Sequence, residues 1–378
     1  NQFSIQWRVT WLVGFCLLAI VAALTLLSLQ RMSDNNAQIQ ARTTRMLEAE
    51  AHQRLLAEGR LQGLNLQRYL LTAYQEGLGL QRYALQLRRI ASEQQWPPQQ
   101  LRQALNRLVK SNLQANPQLR IVANMAVGFN NFDVPAMTAA GVQASNTPDV
   151  LTETTADFGF ALLMATARRV TESEHYLRAG LWKKWSYDMF AGAEVHGSTI
   201  GIIGMGRIGQ GIARRAAHGF GMTVIYHNRS RLSAELEAEC KATYVSKQEL
   251  LQTADHVMLV VPYSAESHHT IGASELAQMK PTATLVNIAR GGIVDDAALA
   301  KALAAGKIAA AGLDVFEGEP SVHPDLLKVS NVVLTPHIAS STVKTRKAMA
   351  QLAADNLVAY LTRGQALTPL NTVPGKAL

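Results

Sequence analysis

The stretch "GIIGMGRIGQG" at residues 201–211 constrains the fold of this 378-residue chain more than any other. The apolar run before it reads as a strand, and "RIGQGIARRAAHGF" after it reads as a helix. A second apolar run, "MTVIYH", follows. Three glycines in isolation are a weak signal, but a strand before them and a helix opening on them make the pattern specific to a dinucleotide-binding turn. Gly204 permits the tight turn, Gly206 lets the backbone approach a pyrophosphate, and Gly209 lets the helix pack close to the strand. The helix start offers unpaired N–H groups to the phosphate charge, so Arg207 and Ile208, which open the helix, belong to the same site.

The rest of the back half repeats this alternation. "STIGIIG", "MTVIYH", "HVMLVVP", "ATLVNIA", "AAAGLDVF" and "NVVLTP" read as buried strands, with helical "SKQELLQTA", "GASELAQMK" and "DDAALAKALAAG" between them. Such alternation predicts an α/β fold with a doubly wound parallel sheet and crossover helices.

The end of the second strand selects the cofactor. An acidic residue there would hold the ribose 2′-hydroxyl of NAD. This chain has His227, Asn228, Arg229 and Ser230 instead. Arg229 can grip a 2′-phosphate bidentately and Ser230 can add a hydrogen bond, so NADP(H) is favoured over NAD(H).

Three other strand ends carry chemistry. Arg290 follows one strand, Asp314, Glu317 and Glu319 follow another, and His337 follows a third. In an open parallel sheet, ligands gather outside the carboxyl ends of the strands. Reduction of a 2-oxo acid needs that set. A cation holds the carboxylate and polarises the carbonyl, a donor supplies the alcohol proton, and a carboxylate keeps the donor charged. No metal-ligand motif is read.

The front of the chain is different. Residues 1–115 hold 13 Lys+Arg and 6 Asp+Glu, a balance of +7, whereas the remaining 23 and 22 leave +1. The basicity is Arg spread along helical sequence without interleaved aromatics, which argues against a nucleic-acid partner. Residues 9–29 carry no charge and are long enough to span a bilayer. Residues 35–90 then read as an amphipathic helix. The two cysteines, Cys16 and Cys240, suggest no disulfide framework.

Two resemblances follow from these residues. A span leading into a long helix resembles the start of a bacterial chemoreceptor over residues 1–115. Residues 117 to 374 resemble the D-isomer-specific 2-hydroxyacid dehydrogenases, in their glyoxylate/hydroxypyruvate/2-ketogluconate reductase branch. The resemblance rests on "VGFNNFDV", "NTPDVLTETTADFGFALLMATAR", "GIIGMGRIGQGIARR", "YHNRS", "NIARGGIVDDAAL", "AAAGLDVFEGEP" and "LTPHIAS". It implies that Arg290 binds substrate, that Glu319 pairs with His337, and that His337 is the acid/base. It further implies that Asp314 holds the nicotinamide carboxamide, that Thr155 and Pro262 line the cofactor, and that Val127 and Gly128 offer N–H groups to the substrate carboxylate. A homodimer through the cofactor-binding domain, near Trp182 and Trp185, and a cytoplasmic reductase are implied as well.

The expected organisation is an anchor and helical segment over 1–115, a cofactor-binding Rossmann domain over 150–336, and a truncated substrate domain over 116–149 and 337–378. The family begins its substrate domain with further strands. Here a helical segment precedes "LRIVANM", so that strand is expected to lack neighbours, as at the join of a chimera. The leading expectation is a 2-oxo-acid reductase, held by residues 9–29 in the bacterial inner membrane. The alternatives are a non-catalytic membrane-anchored nucleotide-binding or sensor fusion, and an inactive chimeric fragment.

Overall fold

The computed structural model describes residues 119–373, which lie within one compact unit of the chain. The expected span at 9–29 and the chemoreceptor-like helix fall outside the described residues. Among the described residues, no helix is long and apolar enough to cross a membrane.

Strands β1 (Ile121–Ala123) and β2 (Gln143–Ser145) pair in parallel across helix α1 (Val134–Ala139). "LRIVANM" therefore has a neighbour that the sequence did not suggest, because "VQAS" offers no apolar run. Asp133 caps α1 by accepting from Ala136 N at 3.0 Å, with a proline in the first turn. Met137, Val142 and Ala144 form a small core with Val122, Phe132 and Leu370.

The main sheet follows. Helices α2 (Thr152–Ala167) and α3 (Val170–Arg178) lead to β3 (Thr199–Ile203), α4 (Arg207–Arg214) and β4 (Thr223–His227). Next come α5 (Ala234–Cys240), β5 (Ala242–Tyr244), α6 (Lys247–Thr253) and β6 (His256–Leu259). The series closes with α7 (Ala273–Leu276), β7 (Thr284–Asn287), α8 (Asp296–Ala304), β8 (Ala310–Leu313) and β9 (Val332–Leu334). The strand order is β5-β4-β3-β6-β7-β8-β9, and every neighbouring pair is parallel. The order reverses at β3, the hallmark of a doubly wound sheet.

Both faces of the sheet are covered, and this is why its strands read as unbroken apolar runs. Val257 and Leu285 pack into one core with Leu250, Leu276 and Leu299 from α6, α7 and α8. Their chain neighbours Met258 and Val286 turn to the opposite core with Leu163 and Ile212 from α2 and α4. Adjacent residues of a strand face opposite sides, so two buried faces demand apolar side chains at every position.

The chain then returns to the small sheet. Helix α9 (Val343–Arg363) is capped by Thr342, whose hydroxyl accepts from Thr345 N, and packs against β1. The tail after it adds a strand-like edge. Leu370 N donates to Ala144 O at 2.8 Å, and Asn371 Oδ1 accepts from Ala144 N at 2.7 Å. Buried Asn356 donates to Thr368 Oγ1 at 2.9 Å, and Thr368 Oγ1 donates to Asn146 O at 2.5 Å.

Candidate active site

Because the seven strands run parallel, their carboxyl ends open along one edge of the sheet. The glycine turn lies at the centre of that edge, beside the reversal in strand order. Gly204 has φ +104°, and an added Cβ would lie 2.6 Å from the Val260 carbonyl carbon. At Gly209 an added Cβ would lie 2.3 Å from Gly204 O, so the helix can approach only without a side chain. Around Gly206 a Cβ would meet nothing within 4 Å. Gly206 caps α4 with no side-chain hydrogen bond, which leaves the first N–H groups of the helix to a ligand. After it, Arg207 Nε lies 2.8 Å from Asp149 Oδ1 in an exposed ion pair, and Ile208 packs partly buried against the core. The buried Thr155 Oγ1 has no hydrogen-bond partner among the described residues. An open cradle and an orphaned hydroxyl both fit a bound dinucleotide.

The end of β4 is organised more tightly than its sequence suggests. His227 O accepts from Gly204 N at 3.1 Å, and His227 Nδ1 lies 3.0 Å from Val245 O. Asn228 Oδ1 accepts from Met205 N at 2.7 Å, which fastens the strand end to the glycine turn. Arg231 is already engaged by Glu237 in two contacts of 2.8 Å. That pair, with the Tyr226 hydroxyl, holds the Glu237 carboxyl down at about 2. Arg229 and Ser230 are exposed, and Arg229 makes no ion pair among the described residues. Exposed Pro262 follows β6, its carbonyl accepting from Ser267 Oγ at 2.9 Å.

Arg290, Glu319 and His337 converge from the ends of β7, β8 and β9. Glu319 Oε2 lies 2.8 Å from His337 Nδ1, and Glu319 Oε1 accepts from Phe316 N at 3.0 Å. Burial raises the Glu319 carboxyl, but the His337 hydrogen bond, the Phe316 N–H and the charges of His337 and Arg290 outweigh it. The carboxyl sits below its ordinary range. Burial lowers the Arg290 guanidinium, and the charge of Glu319 partly offsets this. The guanidinium lies against Gly128, where an added Cβ would come within 2.1 Å of Nη2. The carbonyls of Val127 and Gly128 accept from Asn146 Nδ2 and Asn124 Nδ2 at 2.8 and 2.9 Å. The loop reaching over from the small sheet is thus pinned beside Arg290.

A family profile described as "D-isomer specific 2-hydroxyacid dehydrogenase, NAD binding domain" matches residues 160–339. The glyoxylate reductase of Thermococcus gammatolerans is 54% identical over 248 residues, covering 65% of this chain and 74% of that protein. That of Pyrococcus horikoshii is 50% identical over 258 residues, covering 67% and 77%. The chain belongs to the D-isomer specific 2-hydroxyacid dehydrogenases. Among solved structures, an NADPH-dependent glyoxylate/hydroxypyruvate reductase from Sinorhizobium meliloti, in complex with NADP and malonate, matches with TM-score 0.63 and 40% identity. The match covers 69% of this chain and 81% of that one. A glyoxylate reductase from Paecilomyes thermophila matches with TM-score 0.64 and 40% identity, covering 69% and 78%.

Within this family member, Asp314 does more than the sequence predicts. Its Oδ1 accepts from Thr335 Oγ1 and Ile338 N at 2.8 Å, and its Oδ2 accepts from Ala339 N at 2.9 Å. Its carbonyl accepts from His337 N, also at 2.8 Å. The fully buried Asp314 therefore sets the loop that presents His337, which itself has φ +54°. Asp296, read only as the start of a helix, accepts from Glu317 N at 2.9 Å and steadies the loop carrying Glu319. Neither contact has a motif, because each joins residues about twenty positions apart with a strand between them.

Proposed function

We propose that this chain reduces a small 2-oxo acid to the D-2-hydroxy acid with NADPH, the substrate being glyoxylate, hydroxypyruvate or 2-ketogluconate. The observation that carries the proposal is the 2.8 Å contact of Glu319 with His337 beside the half-buried Arg290. The glyoxylate reductases among its relatives support the substrate class. The Gly204–Gly209 turn, Thr155 and Pro262 would hold the dinucleotide, with Arg229 and Ser230 at its 2′-phosphate. Asp314 has capacity left for one further hydrogen bond, to the carboxamide.

When bound, a reduced nicotinamide supplies a hydride. The chain's own residues do the rest. Arg290 holds the substrate carboxylate and polarises the carbonyl, with the N–H groups of Val127 and Gly128 as further donors to the carboxylate. His337 delivers a proton from Nε2 to the new alkoxide, while Glu319, 2.8 Å from Nδ1, orients the ring.

Residues 150–336 would form the cofactor domain, and 116–149 with 337–378 the substrate side. Trp182 and Trp185 are 53% and 74% exposed, which supports a homodimer contact there. The charge-free run at 9–29 supports a membrane anchor, and the family likeness supports a catalytic part in the cytoplasm. The test is oxidation of NADPH by the full chain with glyoxylate or hydroxypyruvate, read by nicotinamide absorbance. Turnover supports the reductase. Nucleotide binding without turnover of any of the three acids would replace it with a binding role.

A further inference from the structure

A cluster of metal-ligating side chains stands outside the catalytic set. The imidazoles of His268 and His269 stack with centroids 3.8 Å apart and planes inclined by 22°. His269 Nε2 lies 3.1 Å from Glu317 Oε2. One ligand atom from each of His268, His269 and Glu317 lies within 4.8 Å of the others. The two histidines are half-buried and the glutamate is exposed, so an ion can reach all three from solvent.

We propose that His268, His269 and Glu317 bind a borderline divalent cation of the zinc type. The donor set of two imidazoles and one carboxylate suits such an ion, with solvent at the fourth position. Ligands about 2.1 Å from a tetrahedral ion stand about 3.4 Å apart. The His269–Glu317 pair is already near that separation, and His268 closes the rest by side-chain rotation. A support for the outer face of His268 is also present. Its Nδ1 lies 3.1 Å from the Tyr263 hydroxyl. With the Nδ1 proton donated to Tyr263, Nε2 presents its lone pair to the ion, the usual arrangement behind a metal-bound histidine.

The backbone is shaped around the cluster. His269 has φ +52°, and its N–H donates to Gly292 O at 2.7 Å. At Gly292 an added Cβ would lie 3.0 Å from Tyr263 and 3.3 Å from His268. The turn after Arg290 thus has no side chain where the Tyr263–His268 pair sits. Glu317 comes from the loop that also carries Glu319. A bound ion would therefore tie the 262–270 loop to the loop after β8. The site is independent of the proposed reduction, since none of its ligands is assigned to that chemistry.

The test is a titration of the full chain with zinc chloride by calorimetry, repeated on His268→Gln, Glu317→Gln and Tyr263→Phe. One zinc per chain is expected at this cluster. His268→Gln and Glu317→Gln should each weaken it by more than tenfold. Tyr263→Phe should weaken it by about tenfold, the lower end of the usual effect of losing a ligand's support. Zinc should also raise the melting temperature of the wild type and not of the two ligand variants. Magnesium, which prefers an all-oxygen shell, should not compete. The proposal is overturned by a wild type that binds no zinc. Stoichiometric binding left unchanged in both His268→Gln and Glu317→Gln overturns it equally, as does displacement of zinc by equimolar magnesium.

Discussion

The guanidinium of Arg290 occupies the space that a side chain on Gly128 would need. An added Cβ comes within 2.1 Å of Nη2 and 2.9 Å of Cζ. Gly128→Ala should therefore displace Arg290 while leaving the backbone intact, since the atoms in the way end a flexible side chain. The expected outcome is a fall of about tenfold or more in kcat/KM, the scale of one misplaced charged hydrogen bond, with a melting temperature close to wild type. Unchanged kcat/KM would show that Arg290 does not need its observed position.

His337→Ala should lower kcat by roughly a hundredfold or more, the usual weight of a general acid. Glu319→Gln keeps the shape and can still accept from His337 Nδ1, but it replaces a charged acceptor with a neutral one, so a smaller loss is expected. Parallel steady-state assays give the order. Near-full turnover in His337→Ala would remove that residue from the mechanism.

In the proposed function Arg229 is the cation left for a 2′-phosphate, because Arg231 is already bound to Glu237. A hydrogen bond to a charged group contributes about 1.5–3 kcal/mol, or roughly a 10- to 150-fold preference. NADPH should bind more tightly than NADH by that order, and Arg229→Ala should remove most of the difference. Paired dissociation constants for the two reduced cofactors decide it, and equal affinities in the wild type would contradict it.

Asp296 carries a pH signature. Burial pushes its carboxyl from 3.8 up to about 6, against the lowering effect of the Glu317 N–H. The folded state therefore holds a proton that the unfolded chain releases first. Stability should fall as pH rises from about 4 to about 6, by no more than about 3 kcal/mol. Asp296→Asn cannot titrate, and its carbonyl can still accept from Glu317. Urea melts at about pH 4 and about pH 7 should show a smaller pH-dependent loss in the variant than in the wild type. An equal slope in both would place the pH dependence elsewhere.

The central strands were legible because each is buried on both faces and so reads as an apolar run. β5 was not, since "ATY" is three residues at a sheet edge with an exposed middle. β2 was missed for a related reason, as Gln143 is buried through hydrogen bonds to Asn371 rather than by apolar character. Strand ends and the family likeness single out Arg290, Glu319 and His337, and the structure brings Glu319 and His337 to 2.8 Å of each other. In the sequence Asn228 stands out only for the carboxylate it lacks, whereas its side chain fastens Met205 N. The family likeness implies a cofactor contact for Asp314, and its grip on residues 335–339 has no local sign in the sequence. His268 and His269 carry no motif, and Glu317 stands out only as a strand-end carboxylate, because their meeting joins residues 48 apart through the fold of the sheet.

The tail after α9 has a reach beyond its size. Thr368 grips Asn146 O, Asn146 Nδ2 holds Val127 O, and Val127 precedes the glycine under Arg290. Asn371 meanwhile staples the edge of β2. Residues 368–371 thus act as a latch, from outside, on the loop that lies against Arg290. Trimming the chain by proteolysis just before Thr368 should read in an assay as an active-site lesion, although none of the lost side chains is assigned a contact with substrate.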